Sequence, residues 1–183
     1  ITHLRDVSAE ALAIAPDAVL AKIESLPQTL TMADIEADAD LAGVLRSLNT
    51  PFAATQTFAP RARARHVVTE NERVLAGVAA LRRGDAAAFG ALMNAAHQSM
   101  SRDYEASCPE VDALAEIARS VPGVVGARVT GAGWGGCVVA VADDAASDFA
   151  EIVAPAYRAA TGLETDIFVC RSGPGASLVG VAA

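Results

Sequence analysis

The sequence predicts an α+β domain in which helices pack on one face of an antiparallel sheet. Three observations lead to this fold class. Up to Ser120 the apolar residues recur at helical spacing, after Pro122-Gly123 the spacing becomes that of strands, and near the C-terminus helical spacing returns once. The resulting order α-α-α-β-β-α-β suits a layer of helices on a small sheet.

The composition is that of a globular protein with an acidic surface. Hydrophobic residues make up 52% of the 183 residues, and the formal net charge is -8. This charge argues against non-specific binding to nucleic acid or to anionic membranes. Three widely spaced cysteines, without a C-x-x-C pair, indicate a reduced and cytoplasmic protein and fit neither a disulfide framework nor a zinc site.

The first sixty residues are expected to form an irregular helical extension. Ser8, Asp17 and Thr31 are side chains that can cap a helix N-terminus, so each marks a predicted helix start. Residues 49–60 are polar and proline-rich around Phe52 and Phe58, which suggests a loop whose two rings dock on the body of the domain.

Three helices are predicted next. Thr69 to Glu72 has the form of a capping box, and a helix is expected to run from it to Gly84. A short Arg83-Gly84-Asp85 connection leads to a second, antiparallel helix, and Ser107 and Glu110 with Pro109 in the first turn open a third. The apolar positions on these three helices are Val74, Leu75, Val78 and Leu81; Phe89, Leu92, Met93, Ala96 and Met100; Val111, Leu114, Ala115 and Ala118.

The C-terminal third is expected to supply the sheet. Residues 124–129 and 137–142 read as two strands, and a third strand is predicted over residues 165–170, before a Gly173-Pro174-Gly175 turn. Between them lies a helix that is expected to be capped by Asp143 or Asp144 and to stop at Gly162. Its predicted inward residues are Phe149, Ile152, Val153, Tyr157 and Ala160.

A glycine-rich loop joins the first two strands. Gly131, Gly133, Gly135 and Gly136 remove Cβ atoms where the backbone must adopt positive φ or approach another group closely. Such a loop leaves room either for a ligand or for a second backbone in a tight hairpin. Glycine spacing alone favours the hairpin.

Four segments in series resemble a known family. Residues 126–142, which contain the glycine loop, look like the third glycine motif of the GHMP kinases, the family of galactokinase, homoserine kinase and mevalonate kinase. Residues 65–74, 89–99 and 103–112 resemble the galactokinase branch in order and spacing. The Gly-Ala-Gly-Trp-Gly-Gly form is most similar to eukaryotic-type galactokinases and N-acetylgalactosamine kinases.

The resemblance implies a ferredoxin-like GHMP kinase C-terminal domain spanning residues 1–183, with a helical extension at 1–60 and a core at 61–183. It also implies a cytoplasmic protein that transfers a phosphoryl group from ATP to the C1 hydroxyl of galactose or a related sugar with Mg²⁺. The candidate residues at the nucleotide cleft are Gly131, Ala132, Gly133, Trp134, Gly135 and Gly136.

The family's two other motifs, an early sugar-binding segment and a phosphate-binding loop, are missing from these residues, and the chain opens on Ile1. We therefore expect a C-terminal part that is inactive alone and needs the N-terminal kinase half as its partner. No catalytic or metal-binding residue is expected within this chain. Two rival hypotheses remain: a non-catalytic sugar and ATP sensor, and a stand-alone domain that dimerises or binds a small ligand.

Several other residues have two interpretations. His97 lies at the margin of an apolar helix face, which favours a hydrogen-bonded core histidine over a catalytic base, and Ala96 stands where galactokinases usually carry Ser. The alternate arginines Arg61, Arg63 and Arg65 are expected to be solvated or paired with carboxylates. Trp134 is either a lid on the cleft or a core plug. Cys108 and Cys137 are expected to be small buried hydrophobes.

Overall fold

The computed structural model describes residues 3–173 and confirms the α+β class. A 3₁₀ turn at Leu4–Asp6 precedes the other elements. The helices are α1 Ala9–Leu12, α2 Pro16–Glu24, α3 Met32–Ala37, α4 Ala39–Ser47, α5 Pro60–Arg82, α6 Ala86–Arg102, α7 Pro109–Ser120 and α8 Phe149–Thr161. The strands are β1 Leu30–Thr31, β2 Thr57–Phe58, β3 Val124–Thr130 and β4 Cys137–Ala142.

The N-terminal extension has two of its three predicted caps. Ser8 accepts a hydrogen bond from the Ala11 amide, and Thr31 forms a reciprocal capping box with Asp34. The predicted cap at Asp17 is wrong by two residues, because Ala15 is the N-cap and α2 begins at Pro16, whose fixed φ suits the first helical position.

The extension packs on the long helix α5. Val19 and Ile23 of α2 are buried against Ala64 and Val68 of α5. Phe52 and Phe58 contact each other edge to face, with ring centroids 5.4 Å apart. Phe58 also lies in β2, which pairs with β1, so this loop is tied to the extension by a short ladder.

The predicted helix start at Thr69 is wrong. Helix α5 begins at Pro60, and the Thr69 hydroxyl donates to the Arg65 carbonyl one turn back, a bond that a threonine makes inside a helix. Gly84, with φ +67, ends this helix as expected and leads into α6, which packs against α5. The four large apolar residues predicted for one face of α5 are exposed rather than packed: Val74, Leu75, Val78 and Leu81.

Strands β3 and β4 form an antiparallel hairpin closed by the glycine loop, as predicted. The register pairs Thr130 with Cys137 and Val129 with Val138. Helices α6 and α7 pack on β3, and the contact with α6 is very close. A Cβ atom on Gly90 of α6 would lie 1.9 Å from the Val125 carbonyl oxygen, so this glycine sets the distance between the helix and the hairpin.

Helix α7 begins at Pro109 as expected and buries Val111, Ala115 and Ala118. Its cap differs from the prediction, because Cys108 occupies the N-cap position without a side-chain bond and the Ser107 hydroxyl donates instead to Asp112, at 2.5 Å.

Helix α8 ends at Gly162 in the left-handed conformation, as predicted. Val153 and Tyr157 are buried, whereas Ile152 and Ala160 are exposed, contrary to expectation. The predicted caps are also wrong. Asp143 accepts a hydrogen bond from the Ala145 amide in a local turn, and the helix starts later, at Phe149.

The predicted third strand, residues 165–170, is not a strand. Phe168 and Val169 in this segment are almost fully exposed. A strand exists only as part of a hydrogen-bonded ladder, and within residues 3–173 strand β4 pairs with β3 alone. Of the predicted 173–175 turn, Pro174 and Gly175 lie outside the described residues. Among the helices described, none is long and apolar enough to cross a bilayer.

Candidate functional site: the glycine loop

The glycine loop, Gly131–Gly136, has an unusual backbone. Positive φ angles occur at Gly131 (+83°), Gly133 (+91°), Trp134 (+54°), Gly135 (+137°) and Gly136 (+87°). Residues other than glycine rarely adopt positive φ angles, because their Cβ atoms crowd the backbone. The glycines are therefore required by the path of the chain, and Trp134 occupies a conformation that its surroundings must stabilise.

The surroundings are the segment that follows α6, residues 103–106, which we call the α6–α7 turn. The Trp134 amide donates to the Ala106 carbonyl at 3.0 Å, and the indole Nε1 donates to the Glu105 carbonyl, also at 3.0 Å. A Cβ on Gly133 would lie only 2.1 Å from the Ala106 oxygen. Two consecutive carbonyls thus hold both the backbone and the side chain of one loop residue.

Beside these contacts the loop is open. It lines a shallow pocket of about 530 Å³, formed by Thr130, Gly131, Ala132, Gly133, Trp134, Gly135, Gly136 and Cys137. Trp134 is 66% exposed, so it is not a core plug. The pocket lining has no charged side chain, and the side chains with polar atoms among its residues are Thr130, Trp134 and Cys137.

Two of the three alternate arginines, Arg63 and Arg65, are paired with carboxylates as predicted, whereas the contact of Arg61 is with a main-chain carbonyl. Arg61 donates through Nε to the Leu26 carbonyl at 2.8 Å. Arg63 contacts the Glu105 carboxylate at 2.5 Å and also donates to the Asp103 carbonyl. Arg65 bonds Asp103 and, in a bidentate pair, a glutamate of α2. These arginines join α5 to the extension and to the α6–α7 turn.

His97 is a hydrogen-bonded core histidine, the interpretation that the sequence favoured. Its side chain is buried, its Nδ1 accepts from the Val129 amide at 3.2 Å, and its Nε2 lies 3.3 Å from Asp112. Burial lowers the pKa of His97, and the positive charges of Arg119 and Arg128 lower it further, against the opposing effect of Asp112. The neutral ring therefore acts as the acceptor that β3 needs.

A second buried histidine was not singled out by the sequence. His66 Nδ1 lies 3.0 Å from the Ser99 hydroxyl, which donates to Asp103 at 3.0 Å. Its ring stacks on Tyr104 at 4.7 Å. Burial lowers its pKa as well. The partners come from α5, α6 and the α6–α7 turn, so no local spacing signals this network.

A half-buried charge cluster was also missed. Glu70 pairs with Arg73 at 2.7 Å within α5 and with Arg128 of β3 at 2.9 Å. Burial opposes ionisation of Glu70, but its hydrogen bonds to the two arginines prevail and lower its pKa below the ordinary value. The Arg128 contact spans 58 positions, which explains why sequence spacing gave no signal for it.

The cysteine expectation is half wrong. Cys108 is partly buried, whereas Cys137 is exposed at the start of β4 beside the glycine loop. Its position follows from the strand pairing, since Cys137 opposes Thr130 at the end of the ladder, where the sheet opens to solvent. Within residues 3–173 no group of three His, Cys, Asp or Glu side chains lies close enough to hold a metal ion.

Comparison with known proteins places this hairpin and its helices in a family. Residues 78–159 match the family model described as "GHMP kinases C terminal". The chain is 48% identical over 120 residues to a galactokinase of Roseiflexus sp. and 48% identical over 118 residues to that of Mannheimia succiniciproducens. These matches cover 65% and 63% of this chain and 31% of each relative.

A solved structure shows the same similarity. The galactokinase of Lactococcus lactis, complexed with galactose, superposes with a TM-score of 0.55 at 38% identity, covering 74% of this chain and 32% of that one. The chain thus spans about a third of the length of the relatives that it matches. It contains a C-terminal domain of the GHMP kinase family and is a homologue of galactokinases.

Proposed function

We propose that this chain is the C-terminal part of an ATP-dependent sugar-1-kinase, which transfers the γ-phosphoryl group of ATP to the C1 hydroxyl of galactose or a related sugar. In this proposal residues 1–183 form one domain, with an extension at 1–60 and a core at 61–183. Its partner is the N-terminal kinase half, and the isolated chain is inactive.

The observation that carries the proposal is the conformation of the glycine loop. A plain two-stranded hairpin closes with two to five residues and needs one or two positive φ angles. This loop has five positive φ angles within Gly131–Gly136 and is tied to the α6–α7 turn, while its outer side stays open. Such a Cβ-poor surface lets a phosphate or a phosphate-binding backbone approach closely.

The same loop explains why the domain should need a partner. Phosphoryl transfer requires charge stabilisation around the transferred group, a divalent cation and a group that orients the attacking hydroxyl. The pocket lining has no charged side chain, and the described residues hold no metal-binding cluster. The proposal therefore assigns the shaping of the nucleotide cleft to the loop, and the catalytic groups and the Mg²⁺ ligands to the N-terminal half.

An exposed apolar groove supports the proposed partner. A pocket of about 370 Å³ runs between α5, α6 and β4, and most of its lining is apolar. Among the residues that line it are Val74, Val78, Leu81, Phe89 and Val139. Apolar surfaces of this kind commonly mark contacts with another protein segment. The occupant that we propose is the part of the kinase that the matched relatives have and this chain lacks.

The test compares two proteins in one assay. The native gene product that contains these residues and the 183-residue chain are each incubated with ATP, Mg²⁺ and galactose, and ADP and sugar 1-phosphate are measured. The proposal expects stoichiometric formation of both by the native product and none by the isolated chain. N-acetylgalactosamine as a second substrate identifies the sugar class.

Two results would contradict the proposal. Turnover by the isolated chain at an ordinary enzymatic rate would place the catalytic groups within these residues. A native product that binds ATP and sugar without turnover would be a sensor rather than a kinase, and binding is measured in the same samples by calorimetry.

A further inference from the structure

The α6–α7 turn has a backbone that needs outside support. The Tyr104 amide donates to Ser99 O at 3.0 Å, and the Ala106 amide donates to Met100 O at 2.9 Å, so the chain wraps back over the end of α6. Between them Glu105 has a φ of +56°, which is unfavourable for a residue other than glycine. A turn of this kind keeps one conformation only when its neighbours fix it.

Two separate sets of neighbours contact it. In the first set the carbonyls of Glu105 and Ala106 receive the Trp134 indole and amide protons. In the second set the Arg63 guanidinium donates to the Asp103 carbonyl and to the Glu105 carboxylate. Arg63 therefore holds Glu105, one of the two residues that present carbonyls to the loop, and Asp103 two positions before it.

We propose that Arg63 is a positioning residue for the glycine loop, which it orients through the α6–α7 turn although it does not line the loop pocket itself. Its relevance to nucleotide binding rests on the function proposed above. The contact chain is short: Arg63 fixes Glu105, and the carbonyls of Glu105 and its neighbour fix Trp134.

Arg63 is better suited to this role than the adjacent arginines. Arg65 divides its guanidinium between Asp103 and Glu24, and it reaches only the first residue of the turn. Arg61 contacts the Leu26 carbonyl and so serves the N-terminal extension. Arg63 alone of these three contacts the residue with positive φ.

The ion pair itself is not the main element of this support. The Glu105 side chain is 67% exposed, so salt and water screen its attraction to Arg63. The hydrogen bond to the Asp103 carbonyl is independent of that charge, and the guanidinium also lies over the Tyr104 ring, 5.9 Å from its centroid. Loss of Arg63 is therefore expected to loosen the turn locally without unfolding the domain.

The chain offers a direct probe, because Trp134 is its only tryptophan. In a ¹⁵N-labelled chain a single indole N–H signal reports on the bond to Glu105. We expect Arg63→Ala to shift that signal and to raise its hydrogen-exchange rate several-fold, with a midpoint of thermal unfolding close to that of Arg61→Ala. Arg61→Ala is the matched control and should leave the indole signal in place.

A rescue variant shows whether Arg63 supports the turn through its hydrogen bonds or only through its positive charge. Arg63→Lys keeps the positive charge but lacks the forked donor set, so it should restore the indole signal only in part. An indole signal that is unchanged in Arg63→Ala, or that moves equally in Arg61→Ala, would overturn the proposal.

The consequence for the reaction is measured in the native gene product. There Arg63→Ala should raise the KM for ATP several-fold and change kcat much less, because a loosened loop weakens binding before it affects chemistry. If the unsubstituted native product has no kinase activity, but Arg63→Ala still shifts the Trp134 indole signal, the proposed function is refuted and the positioning role stays intact. If the native product is active, but Arg63→Ala changes neither the KM for ATP nor the indole signal, the positioning role alone is refuted.

Discussion

Replacement of Gly133 by alanine tests whether the contact between the glycine loop and Ala106 stabilises the fold. The new Cβ would lie 2.1 Å from the Ala106 carbonyl oxygen, far inside the ~3.5 Å at which such atoms normally meet. The alanine would also have to keep the φ angle of +91° that Gly133 has, which costs about 1–2 kcal/mol. Gly131 is the matched control, since its φ is +83° but no atom lies within 4 Å of a Cβ there.

The clash can be relieved if the loop detaches from the α6–α7 turn. Detachment gives up the two hydrogen bonds of Trp134, each worth about 1 kcal/mol, so the excess cost of Gly133→Ala over Gly131→Ala is limited to roughly 2 kcal/mol. We therefore expect a total loss of about 3–4 kcal/mol for Gly133→Ala and about 1–2 kcal/mol for Gly131→Ala.

The assay is urea unfolding followed by circular dichroism, with the indole N–H signal of Trp134 recorded under native conditions. Gly133→Ala should both destabilise the chain and release the indole, whereas Gly131→Ala should leave the indole bonded. Equal losses in the two variants, or a bonded indole in Gly133→Ala, would refute the reasoning, because the contact with Ala106 would then have no energetic weight.

The remaining predictions concern the packing of α6 and the buried histidines. Gly90→Ala should lower the free energy of unfolding in urea by about 3 kcal/mol or more, because its Cβ would meet the Val125 carbonyl oxygen at 1.9 Å. In the control Gly77→Ala the Cβ meets only the edge of the Phe89 ring at 3.6 Å, so this variant should gain up to about 1 kcal/mol from helix propensity. Similar stabilities of the two variants would contradict this geometry. The depressed pKa of His97 means that the unfolded chain takes up its proton first, so stability should be full above pH ~6.5 and should fall with a limiting slope of about 1.4 kcal/mol per unit as the pH drops towards the lower folded pKa. His97→Gln should flatten this dependence, and an unchanged slope would show that the ring does not stay neutral in the folded chain.

The sequence predicted the features whose signals are local. Ser8 and Thr31 cap their helices, Pro109 opens α7, and Gly162 ends α8. Helix caps and helix ends depend on residues within one turn of each other, so the partners that form these contacts are close together in the sequence. The two strands and the loop between them were predicted for the same reason.

Of the features that were missed, some are helix starts that a competing local signal decides, and the others depend on distant partners. Thr69 has the form of a cap, but Pro60 starts the helix earlier and leaves Thr69 in its interior. Residues 165–170 have strand composition, yet a strand needs a neighbour that this composition cannot specify. The bond between Trp134 and Glu105 spans 29 positions, and the bond from Arg63 to Glu105 spans 42, so neither has a spacing signature.

The most direct test of the central claim is to observe Trp134 while nucleotide binds. The native gene product is labelled with fluorotryptophan, the signal of Trp134 is assigned with a Trp134→Phe variant, and MgATP is titrated in the presence of galactose. If the glycine loop forms part of the nucleotide cleft, the signal shifts saturably with a midpoint near the KM for ATP. A signal that stays constant while the enzyme phosphorylates its sugar would contradict the account.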